Sequence, residues 1–151
     1  MTTTHPLRGS TMQFGRVGSI YVCVHPSTPP SSGEWDTWLE DVEREVPTLS
    51  GALVYTEGGG PDARQRKETA AMWNRQARSL PIAVVTKSPV VRGMLTALNF
   101  FLSRPLRGYA PEQLDEALTE YLKVAPEQQA ELRRVVAAAL ANLHVAARAS
   151  L

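Results

Sequence analysis

The stretch from Ala52 to Arg78 constrains the fold most. A nearly unbroken apolar run, Ala52-Leu53-Val54-Tyr55-Thr56, breaks on Glu57-Gly58-Gly59-Gly60-Pro61-Asp62, and a polar helical segment follows from Ala63 to Arg78. Continuous hydrophobicity suits a central strand covered on both faces. The run Pro81-Ile82-Ala83-Val84-Val85-Thr86 has the same character. Thr11–Val17 and Ser19–His25 read as two short strands around Gly18, an antiparallel hairpin, and Leu106–Tyr109 reads as a short edge strand.

Amphipathic segments separate these strands. Ser31 and Glu34 have capping-box spacing and open a helix to about Val46, with Trp35, Trp38, Leu39, Val42 and Val46 on one stripe, ended by Pro47. The helix after the glycines presents a thinner stripe of Ala63, Ala70, Trp73 and Ala77. Ser88 caps the most apolar helix, with Pro89 at its first position and Val90, Val91, Met94, Leu95, Leu98, Phe101 and Leu102 along it. A fourth helix begins at Ala110–Gln113, with Leu114, Ala117, Leu118, Tyr121 and Leu122 on one side. A fifth runs from Pro126 to about Ala147, with a stripe of Leu132, Val135, Val136, Ala139, Leu140, Leu143 and Ala146.

Strands alternating with helices predict an α/β fold. The expected sheet is four- or five-stranded, mixed but mostly parallel, with helices packed on it and an added C-terminal helix. The expected organisation is a disordered tail over 1–10, one domain over 11–123 and an amphipathic helix over 124–151. A chain of 151 residues can bury about 68–70% of its unfolded surface, enough for a core without disulfides or metal.

The net charge of +1 argues against a nucleic-acid binder. The single cysteine, Cys23, lies within an apolar run, cannot form an internal bridge and reads as a core residue with no base beside it. His5, His25 and His144 have no metal-ligand spacing, so neither metal nor other cofactor is expected; His25, at a strand end before Pro26, is the one placed near the ligand end of the sheet. The first ten residues lack the apolar stretch of a secretion signal, and no segment is long enough to span a bilayer, so a cytoplasmic location is expected.

The hairpin, the strand and loop of Ala52–Asp62, and the strand ending in Thr86-Lys87-Ser88 before an apolar helix resemble the SpoIIAA-like superfamily. That group includes the STAS domains of anti-sigma-factor antagonists and SEC14-like folds. Leu106-Arg107-Gly108-Tyr109 followed by Pro111–Leu118 is similar to small bacterial members. The resemblance covers roughly residues 11–123. It implies a regulatory or scaffold module, not an enzyme, that binds another protein. In anti-sigma antagonists a serine or threonine at the helix start after the central strand is phosphorylated. Gly58–Asp62 carries no hydroxyl, and the nearest, Thr56, is still in the strand. A phosphate switch is therefore not expected.

The expected partner surface comprises Gly58, Gly59, Gly60, Asp62, Arg64, Lys67 and Arg75, together with Leu132, Val136, Leu140 and Leu143 of the last helix. That last stripe either covers its own domain or joins a second copy in a homodimer. The glycine loop is either an anion cradle, with the N–H groups of Gly59, Gly60 and Asp62 converging near Arg64 and Arg66, or a plain turn, with Asp62 stabilising the helix dipole. The alternative function, which SEC14-like relatives imply, is a carrier of a small apolar or lipid-like ligand. Its pocket would lie beneath the Pro89–Leu102 helix, lined by Val91, Met94, Leu95, Leu98 and Phe101.

Overall fold

A computed structural model describes residues 7–98 and 106–149. The strands β1 (Gln13–Val17), β2 (Ile20–His25), β3 (Gly51–Thr56), β4 (Ile82–Thr86) and β5 (Leu106–Tyr109) form one five-stranded sheet in sequential order. Only the β1–β2 pair is antiparallel; β2 to β5 run parallel. The helices are α1 (Ser32–Glu45), α2 (Ala63–Asn74), α3 (Pro89–Leu98), α4 (Leu114–Glu116) and α5 (Pro126–Ala149).

Strand alternation divides the core into two layers. Tyr21, Cys23, Ala52, Ile82 and Val84 face α1, α2 and α3, packing with Trp35, Trp38, Met72, Trp73 and Leu95. Ile20, Val22, Val24, Leu53, Ala83 and Val85 face the other way, onto Leu118, Leu132, Val136, Ala139 and Leu143. Consecutive parallel strands joined by crossovers of one hand put all three crossover helices on the same face. The opposite face would be bare without the C-terminal segment, and α5 covers it.

That placement corrects the expected interface. Leu132, Val136 and Leu143 are buried within the chain, and Leu140 packs half-buried against the same cluster, so none of them forms a free dimer surface. Gln128 Nε2 donates to Val17 O (2.8 Å) near one end of α5, and His144 Nε2 lies 2.6 Å from Glu57 Oε1 near the other. The helix thus belongs to the domain.

Other boundaries also shift. Within the expected tail, Arg8 exchanges two backbone hydrogen bonds with Phe14 (3.0 Å each), and Ser10 N donates to the Glu34 carboxylate (2.7 Å). Glu34 also accepts from Thr11 N (2.6 Å), so it ties down the N-terminal segment instead of closing a capping box with Ser31. Burial raises the Glu34 pKa, but the hydrogen bonds from Thr11 and Ser10 outweigh this and hold it below the ordinary value. Residues 1–6 of the tail, and Phe101 and Leu102 of the apolar helix, lie outside the described residues. In α2, Gln65, Met72 and Trp73 are buried while Ala63 is exposed, and Ala77 lies exposed beyond the helix end, so the buried stripe is centred differently from the expected one. The expected fourth helix is instead a 3₁₀ turn (Pro111–Gln113), one α-turn and a π-turn (Ala117–Tyr121) in which Leu122 N donates to Ala117 O (2.9 Å).

Candidate ligand cavity between the sheet and its helices

The helices α1, α2 and α3 stand over the sheet around a cavity of about 210 Å³. An apolar cavity of about 150 Å³ already admits benzene, so this space suits a small molecule. Its wall combines Tyr21, Cys23, His25, Val54 and Val84 from the strands with Trp35 and Trp38 of α1, Trp73 of α2, and Val91, Met94 and Leu95 of α3. Gly58, Gly59, Gly60, Pro61 and Arg66 line it at the carboxyl ends of β2 and β3. Gly58 and Met94 are exposed and mark where the cavity meets the surface.

The wall is apolar except for a few groups, and three of these have no partner. His25 Nδ1, Trp35 Nε1 and Trp38 Nε1 are buried without a hydrogen bond among the described residues. Each such group costs about 1–3 kcal/mol when left unpaired. His25 stacks on Trp35 with centroids 6.0 Å apart, and Trp35 meets Trp38 at 4.6 Å. The three nitrogens therefore belong to one aromatic ladder along the wall.

Cys23 Sγ lies 3.3 Å from His25 Nε2, which corrects the view that no base stands beside the thiol. Spacing of two along a strand puts both side chains on one face. Burial pushes the Cys23 thiol above its ordinary value and pulls His25 down to about 4. At neutral pH both are uncharged, so the pair is not a thiolate–imidazolium nucleophile. Tyr21 donates to Asp41 (2.6 Å); burial first, then that bond, raises its phenol pKa.

His25 makes stability depend on pH. The unfolded chain takes up the imidazole proton near pH 6.5, which the folded chain refuses until about pH 4. Stability should therefore decline as pH falls through that window, by about 3 kcal/mol when complete. Urea midpoints measured across it should show the slope, and His25→Asn should flatten it.

The glycine loop is a turn that spends the N–H groups of Gly58, Gly59 and Asp62 within the chain, which leaves little of an anion cradle. Gly58 N donates to Thr56 Oγ1 (3.0 Å), Gly59 N to Pro26 O (2.8 Å) and Asp62 N to Gln65 Oε1 (2.9 Å). Asp62 in return accepts from Gln65 N (2.8 Å), completing a capping box at the start of α2. Thr56 is buried and bonded to the loop. Arg64 pairs with Glu68 (3.6 Å) and Arg75 with Glu43 (3.0 Å), while Lys67 is exposed on the outer side of α2. Of the expected surface, then, only the glycines reach the cavity.

Of the residues expected under the apolar helix, Val91, Met94 and Leu95 line the cavity; the Leu98 side chain and Phe101 lie outside the described residues. Trp35, Trp38 and Trp73 were legible only as core stripe positions. Among the described residues no cluster of His, Cys, Asp or Glu could hold a metal, and no helix is long and apolar enough to cross a membrane. No protein-family model, no curated protein and no solved structure matches the chain.

Proposed function

We propose that this chain is a non-enzymatic binder of a small, largely apolar molecule carrying a hydrogen-bonding group, in a domain of SpoIIAA-like type. Three unpartnered ring nitrogens, on side chains that line an apolar cavity, carry this reading. A ligand that buries its body there gains about 25 cal/mol per Å² of apolar surface removed from water. One that also offers an acceptor or donor to the ladder relieves groups the fold leaves unsatisfied.

The carrier reading gains over the interaction module because the module's apolar residues on α5 are already covered and its Arg64 and Arg75 are paired within the chain. The test is direct. All three tryptophans of the chain line the cavity, so the indole emission reports on it alone. Titration with octanol should shift that emission saturably at one molecule per chain.

A further inference from the structure

We propose that the natural occupant is a small monocarboxylic acid whose apolar body lies among Trp73, Leu95 and Val91 and whose carboxylate is held at the rim by Arg66. This rests on the ligand-binding reading above and names the chemical class of the ligand. Among the described residues Arg66 is the one permanently charged side chain on the cavity wall. It is half-buried in the first turn of α2, and its Nη1 donates to Pro61 O (2.9 Å). A guanidinium carries five N–H donors in a planar fork, so most of its donors are left. Arg64 and Arg75, in and next to the same helix, each face a glutamate, whereas Arg66 meets no carboxylate among the described residues.

An uncompensated guanidinium beside an apolar space favours an anion, since the low local dielectric strengthens the pairing. The anion should carry one charge. Among the described residues no second cation lines the cavity, and the loop N–H groups of Gly58, Gly59 and Asp62 are already bonded. A phosphate dianion would find too few donors there. A carboxylate fits the fork and leaves the volume to an apolar chain or ring.

Calorimetric titration of the full chain at neutral pH with octanoate and with octanol tests this. Octanoate should bind about ten-fold or more tightly than octanol. In Arg66→Gln the ratio of the two affinities should fall to near one. Equal binding of acid and alcohol by the native chain, or an unchanged ratio in the variant, would overturn the carboxylate assignment and leave the cavity reading standing. Failure of both probes to bind would overturn the two together.

Discussion

Deleting the chain from Pro126 onward should abolish cooperative folding. The helix α5 covers the sheet face formed by Ile20, Val22, Val24, Leu53, Ala83 and Val85, with Leu132 and Leu143 fully buried in that layer. Exposing even about 400 Å² of apolar surface forfeits on the order of 10 kcal/mol. That matches the entire stability of an ordinary domain. The truncated chain should therefore show no sharp thermal transition by circular dichroism and should associate through the bared face. Leu132→Ala alone should lower stability by about 2–5 kcal/mol, because it opens a hole in a layer with little room to collapse. A truncated chain that melts as sharply and as late as the full one would show that α5 is an accessory.

Gly59→Ala should be the most damaging single change at the cavity rim. A Cβ there would lie 2.2 Å from Thr28 O and 2.4 Å from Pro26 O, both backbone atoms that cannot step aside. Gly59 N also donates to Pro26 O, so the clash would break the contact that seats the loop against the segment after β2. The expected loss is about 3 kcal/mol, the upper end of ordinary overpacking. Gly60→Ala is the natural control: its Cβ meets open space, so stability should change by less than about 0.5 kcal/mol. Chemical denaturation of the two variants side by side separates them. Equal midpoints would mean that the loop is not packed as described.

Much of this architecture was legible in the amino-acid order. Continuous apolar runs at Ala52–Thr56 and Ile82–Thr86 mark strands covered on both faces, and β3 and β4 are the second and third of four parallel strands. Ser31 spacing placed the start of α1, where its hydroxyl accepts from Glu34 N (3.2 Å). The destination of α5 was not legible. An apolar stripe has the same spacing whether it covers its own sheet or a partner's, and only the one-sided placement of the crossover helices decides. The fourth helix breaks into 3₁₀, α and π turns, a distinction that its apolar spacing does not carry.

The cavity was the least legible feature. Trp35, Trp38 and Trp73 occupy positions that a filled core would also give to tryptophan, and a gap between helix and sheet depends on how far the helices stand away. The pairing of Cys23 with His25 did carry a signal, the spacing of two along a strand. Arg66 was marked, with Arg64, only by its place beside the glycine loop, since five basic residues within fifteen positions look alike until Arg64 and Arg75 are paired off.

The most direct measurement is the octanol titration of tryptophan emission, run together on the native chain and on Ala70→Phe. Ala70 lines the cavity from α2, half-buried, and a phenyl ring there should occupy the space that a ligand would take. The native chain should show a saturable shift at one equivalent, and the filled variant should keep its thermal transition and lose the shift. An identical response from the two chains, or none from the native one, would contradict a ligand cavity beneath α1, α2 and α3.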